Sequence, residues 1–136
     1  MNGLLEHELT IESEGDLVAA RRAIRDAATA LGFGITDVTR IVTAASELTR
    51  NIYQYAGSGV VRWQALDVHG RGGIELTFED HGPGIPDLAQ AMESGFTTGK
   101  GLGLGLPGAK RLMDEMTTES QVGQGTTVQV RKWLRR

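Results

Sequence analysis

The sequence predicts a two-layer α/β sandwich. Five short segments carry alternating apolar residues, and the segments between them repeat apolar residues every three or four positions. Glycine, at 19 of 136 residues, gathers in a few stretches instead of spreading evenly. These three observations predict one domain, residues 1–136, with strands on one layer and one-faced helices on the other.

Leu5 to Ile11 alternates loosely, with Leu5, His7, Leu9 and Ile11 on one side and Glu6, Glu8, Thr10 and Glu12 on the other. This is a first strand with one wet face. From Asp16 the spacing becomes helical through Leu17, Ala20, Ile24, Ala27, Ala28 and Leu31, and Gly32 suits the position just past the end. Thr36 is placed to cap a second helix that runs through Val38, Ile41, Val42, Ala45, Leu48, Ile52 and Tyr55 until Gly57-Ser58-Gly59 stops it. Two strands follow, Val60–Val68 and Ile74–Glu79. The connection His69–Gly73 reads as a hairpin loop longer than two residues. After a Gly/Pro-rich loop, Asp80–Pro86, the spacing predicts a short helix over Asp87–Glu93 and a glycine-rich lid over Ser94–Gly105. A helix from Leu106 to Met116, with Pro107 in its first turn, leads to closing strands Thr117–Val122 and Thr126–Leu134.

Composition excludes several classes. The absence of cysteine rules out disulfides and thiolate-bound metals, and fits a cytoplasmic protein. No segment reaches the ~20 apolar residues that span a bilayer, and the N-terminus lacks the pattern of a signal peptide, so no membrane role is expected. A formal net charge of −3 argues against nucleic acid as a partner. The basic cluster Arg131, Lys132, Arg135 and Arg136 reads as a solvated charged end.

Four motifs carry chemistry. Glu47 and Asn51, four residues apart on the second helix, share a face about 6 Å apart along the axis. A neutral amide oxygen suits Mg²⁺, while a free carboxylate beside it can orient or deprotonate a nucleophile. Asp80, at the end of a strand, can accept a hydrogen bond from an exocyclic amino group, and Gly82 and Gly84 leave room for a base plane beside the backbone. In Gly99–Leu106, alternate glycines expose backbone N–H groups to phosphates ahead of a helix N-terminus, with Lys100 as a point charge. Gly125-Thr126 opens the last strand with a hydroxyl that can help hold a base edge. Two look-alikes fail. Gly103–Gly108 has the letters of a dinucleotide fingerprint but follows no apolar strand, and Gly95–Gly101 is one residue short of a phosphate-binding P-loop.

In this order the four motifs resemble the Bergerat (GHKL) ATP-binding domain shared by DNA gyrase, Hsp90, histidine kinases and MutL. Glu47–Asn51 resembles its N box, Asp80–Gly84 its G1 box, Gly101–Gly105 its G2 box, and Gly125-Thr126 its closing Gly-Thr. Within that superfamily, Ala45–Tyr53, Asp80–Asp87, Gly105–Glu115 and Lys132–Arg135 resemble the short bacterial serine/threonine kinases of partner-switching pathways, those of the stressosome in particular.

The resemblance implies a mixed, mostly antiparallel sheet with helices on one face and a glycine-rich ATP lid. It implies ATP and Mg²⁺ as cofactors, with Asn51 as metal ligand and Glu47 as catalytic base or orienter. Asp80, Gly82, Gly84, Ile85 and Thr126 would form the adenine side, and Lys100, Gly101, Leu102, Gly103, Leu104 and Gly105 the phosphate side. The implied substrates are STAS-domain scaffold or antagonist proteins, and the implied downstream partner is a PP2C-type phosphatase. The alternative is an anti-sigma factor kinase that holds a sigma factor and phosphorylates its antagonist. With no dimerisation helix and no histidine in a setting for phosphotransfer, a histidine kinase is not expected.

Overall fold

The computed structural model of the protein describes residues 6–87, 92 and 105–135. The elements run β1 (Glu6–Ile11), α1 (Glu14–Ala30), α2 (Ile35–Asn51), a π-helical turn (Ile52–Ala56), β2 (Gly59–Val68), β3 (Arg71–Asp80), α3 (Leu106–Leu112), β4 (Glu115–Gln121) and β5 (Gly125–Trp133). The expected helix over Asp87–Glu93 and the lid before Gly105 lie almost wholly outside the described residues.

The five strands form one sheet in the order β1-β2-β3-β5-β4. Every pairing in it is antiparallel, where the resemblance allowed for a mixed sheet. Period-two alternation then sorts the side chains. Leu9, Val61, Trp63, Ile74, Leu76, Phe78, Val128 and Val130 share one face, and all but the half-buried Leu9 are buried in the core with Ala20, Ile24 and Ala28 of α1 and Ile41, Ala45 and Leu48 of α2. The other face is polar and crossed by ion pairs, Arg62 to Glu79 at 2.6 Å and Arg131 to Glu75 at 2.7 Å.

Local chemistry moves several expected boundaries. Helix α1 starts at Glu14, ahead of the expected Asp16, because Ser13 and Asp16 form a reciprocal capping box: Asp16 N–H donates to Ser13 Oγ (3.3 Å) and Ser13 N–H to Asp16 Oδ2 (3.1 Å). Helix α2 is capped by Gly34 and not by Thr36, which sits inside its first turn; Val38 N–H already donates to Gly34 O at 2.9 Å. The β2–β3 connection is a two-residue turn after all. His69 (φ 54) and Gly70 (φ 82) both take positive φ, as a type I′ turn requires. Gly72 and Gly73 belong to β3, and Gly73 is where β5 comes close: a Cβ there would lie 2.6 Å from Lys132 O and 2.8 Å from the Trp133 ring.

Helix α3 stops at Leu112, short of the expected Met116. Asp114 is drawn into the sheet, its N–H donating to Arg131 O (2.9 Å) and its carboxylate accepting from Trp133 N–H (2.8 Å). Lys132 Nζ donates to Leu112 O at 2.8 Å. The described part of the basic C-terminal cluster is therefore not a solvated end. Lys132 is buried, and both Lys132 (3.9 Å) and Arg135 (3.2 Å) reach Asp37 in the first turn of α2, which also accepts from Arg40 at 2.9 Å.

Burial alone would raise the Asp37 pKa. The Arg40 hydrogen bond and the charges of Lys132 and Arg135 outweigh it and hold the carboxyl below its ordinary 3.8. A depressed folded-state pKa stabilises the fold above the unfolded value and is lost as pH falls through the folded one. Asp37→Asn is therefore expected to cost about 3 kcal/mol at neutral pH, in the range for breaking a buried ion pair. It should also flatten the loss of stability below pH 3.8, read by denaturant melts across that range.

Candidate nucleotide site

Helix α2 lays an apolar stripe on the sheet, with Leu48 and Ile52 buried, and Glu47 and Asn51 flank that stripe near its end. Glu47 is about half-exposed, at 44%, with Arg50 Nη1 3.5 Å from its Oε2. On its other side stands Gly105 at the start of α3. Gly105 has φ 70, and a Cβ built on it would sit 2.8 Å from Glu47 Oε1, so only glycine lets the end of the glycine-rich segment close on the carboxylate.

Beyond Asn51 the helix widens. Gly57 N–H reaches back five residues to Ile52 O (2.9 Å), and Gly57 (φ 84) ends the turn. Widened turns of this kind concentrate at functional sites. Here the turn delivers Ala56 to Gly82, where an added Cβ would lie 2.6 Å from Ala56 Cβ. One continuous stretch of chain thus runs from Glu47 past Asn51 to Ala56, which lies against Gly82, two residues after Asp80.

Asp80 and Thr126 are direct cross-strand partners at the ends of β3 and β5, with their side chains on the inner face. Asp80 Oδ1 accepts the Gly82 N–H at 2.8 Å, which turns the chain out of the strand. Gly84 (φ 79) lies against the β4–β5 turn, where a Cβ would collide with Gln121 O. Gly123 N–H donates to Pro83 O at 2.9 Å, so the two loops are bonded together. Gly125 packs on the Asp80 carbonyl just as tightly.

The sequence reading missed Ser120. Ile85 N–H donates to its Oγ (2.7 Å), its hydroxyl pairs with Thr126 Oγ1 (2.8 Å), and Gly125 O lies 3.2 Å away. A single hydroxyl ties the loop after Asp80 to the strand that presents Thr126. The available signal was a serine on the inner-face register of β4, opposite Thr126 across a tight turn. The structure thus brings Asp80, Gly82, Gly84, Ile85 and Thr126 into one cluster, and Glu47 and Gly105 into contact beside it. Lys100, Gly101, Leu102, Gly103 and Leu104 lie outside the described residues.

The model of the family described as "Histidine kinase-, DNA gyrase B-, and HSP90-like ATPase" matches residues 36–136. The chain belongs to this family. Among curated relatives it is 53% identical to the serine/threonine-protein kinase RsbT of Bacillus subtilis, over 92% of this chain and 94% of that protein. It is 30% identical to the anti-sigma F factor of Caldanaerobacter subterraneus subsp. tengcongensis, covering 99% and 96%, and 34% identical to that of Geobacillus kaustophilus, covering 72% and 70%. A solved structure, the RsbU and RsbW domains of Rv1364c from Mycobacterium tuberculosis, has the same fold at TM-score 0.64 and 20% identity. The match covers 99% of this chain and 34% of that one.

Ser120→Ala is expected to leave the half-buried Ile85 N–H without its hydroxyl partner and to cost about 1 kcal/mol in a urea melt. ATP affinity should fall with it, and Ser120→Thr should recover both. Gly84→Ala adds a Cβ where φ is 79 and the neighbouring strand leaves no room, and is expected to weaken ATP binding more than Ser120→Ala does in the same titration.

Proposed function

We propose that the chain is an ATP-dependent protein serine/threonine kinase of a partner-switching pathway. The observation that carries this reading is the contact between Glu47 and Gly105, which sets a half-exposed carboxylate against the base of the glycine-rich segment. That is where the terminal phosphate of a bound ATP and an incoming hydroxyl have to meet. The 53% identity with a named serine/threonine kinase supports it.

In this reading Asp80 accepts the adenine amino group and Thr126 holds the adjacent edge, with Gly82, Gly84 and Ile85 leaving space for the ring. Lys100 and the segment Gly101–Gly105, Leu102 and Leu104 included, close over the phosphates. Glu47 accepts a hydrogen bond from the serine or threonine hydroxyl and takes its proton as the oxygen attacks the γ-phosphorus. The bond to the bridging oxygen breaks, and ADP leaves. Catalysis of this kind rests on positioning and charge neutralisation, which suits a site with few reactive side chains.

The donor set fits Mg²⁺. Among the described residues no group of three or more His, Cys, Asp or Glu could hold a metal ion. Asn51, one helical turn after Glu47, would hold the ion through its hard amide oxygen, as expected for an ion that the protein holds by one or two ligands and the nucleotide holds by its phosphates. Bound there, Mg²⁺ supplies neutralisation of the phosphate charge.

The proposed substrates are STAS-domain proteins, with a PP2C-type phosphatase as a later partner in the cytoplasm. Among the described residues no helix is long and apolar enough to cross a membrane. The anti-sigma F relatives at 30–35% identity support a second reading, in which a sigma factor is held in an ATP-dependent way. A pull-down with Mg·ATP separates the two by whether a sigma factor is recovered.

Glu47→Ala is expected to bind ATP within about twofold of the unsubstituted chain while transfer of labelled phosphate to a STAS-domain protein falls at least 100-fold, in the range for loss of a general base. Asn51→Ala is expected to lose Mg·ATP binding itself, seen in a calorimetric titration. Undiminished transfer by Glu47→Ala removes Glu47 from the mechanism.

A further inference from the structure

Asp80, Thr126 and Ser120 stand in one row across β3, β5 and β4, each the direct cross-strand partner of the next. Thr126 therefore has a carboxylate on one side and a hydroxyl on the other. The direction in which it points its own proton decides what the row offers to a bound base. Asp80 can only accept, and its Oδ1 already takes the Gly82 N–H at 2.8 Å.

Counting protons at Ser120 fixes that direction. A serine hydroxyl donates once and accepts twice. Ser120 Oγ meets Ile85 N–H at 2.7 Å, Thr126 Oγ1 at 2.8 Å and Gly125 O at 3.2 Å. The amide can only donate, and the carbonyl can only accept. One assignment makes all three contacts hydrogen bonds: Ile85 N–H and Thr126 O–H donate to Ser120, and Ser120 donates to Gly125 O. The reverse, with Ser120 donating to Thr126, leaves the carbonyl contact without a proton. Among the described residues no hydrogen bond joins Thr126 to Asp80, as a Thr126 proton turned toward Ser120 requires.

We infer that Ser120 is a positioning residue that sets nucleobase specificity: by taking the Thr126 proton, it leaves Asp80 and Thr126 as a wall of acceptors only. Such a wall selects a 6-amino purine over a 6-oxo purine. The inference rests on the nucleotide reading and names the residue that makes the site discriminate. Two acceptors that straddle one amino group at hydrogen-bond distance lie about 5 Å apart. That is the Cβ spacing of residues directly paired on neighbouring strands. A carbonyl in the same place puts lone pairs against lone pairs, and rejection is large when a site's polar groups are left unpaired. Without Ser120 the Thr126 hydroxyl turns freely and can donate to that carbonyl.

The test titrates the full chain, with Mg²⁺, against ATP, ITP and purine riboside triphosphate. Their bases carry an amino group, a carbonyl and neither at the same ring position. The unsubstituted chain is expected to prefer ATP to ITP about 100-fold, with the purine nucleotide between them. In Ser120→Ala the ATP-to-ITP preference should shrink about tenfold, the effect of one hydrogen bond gained by the carbonyl. Ser120→Thr keeps the acceptor and should restore the preference. Thr126→Val should leave ITP binding within about twofold when Ser120 is present, yet weaken it about tenfold in the Ser120→Ala background. A loop merely loosened by loss of Ser120 weakens all three nucleotides alike, so an unchanged preference in Ser120→Ala overturns the proposal. Equal loss of ITP binding on Thr126→Val in both backgrounds does the same. So does an unsubstituted chain that binds ITP as tightly as ATP, a result that depends on no variant's folding. Failure of the unsubstituted chain to bind any of the three overturns the nucleotide reading instead.

Discussion

Helix α2 is held on the sheet by one apolar stripe, and the chemistry of the molecule depends on where that stripe ends. Ile41, Ala45, Leu48 and Ile52 are buried with the strands, which fixes the rotation of the helix about its own axis. Once that rotation is set, Glu47 and Asn51 must emerge along the border between core and solvent. The widened turn after Asn51 then spends the remaining residues bringing Ala56 against Gly82. A regular α-helix continued to Gly57 would give that turn i→i−4 bonds and a different rotation, and so a different meeting point with the loop after β3.

A second constraint is steric. Gly82, Gly84, Gly105 and Gly125 each sit where an added Cβ would press on a neighbouring side chain or carbonyl. These contacts draw four separate segments to within one residue's thickness of one another. The loops are not merely flexible connectors; their glycines are the packing surfaces of the site. Ser120 completes the arrangement with hydrogen bonds in place of contact.

Much of this was legible beforehand. Alternation located all five strands, and helical spacing located α1, α2 and α3, because burial on one face leaves a period that survives in the sequence. The ends were harder to read. Thr36 is a good capping residue passed over for Gly34, and the Lys132–Asp114 and Trp133–Asp114 contacts cut α3 short. Such outcomes depend on partners far away along the chain. The basic C-terminus shows the same limit. Its charges read as solvent-facing until Asp37, 95 residues before Lys132 in the numbering, is placed beside them.

By itself the sequence determined the layers, the helix that carries Glu47 and Asn51, and the order of the glycine-rich motifs around them. Those follow from local periodicity and residue chemistry, which need only near neighbours in the chain. The tertiary structure alone decided that Gly105 faces Glu47 and that Ser120 binds Ile85 and Thr126 together. Each of these joins residues from different elements, whose separation is set by how the helices lie on the sheet, a quantity that no local pattern encodes.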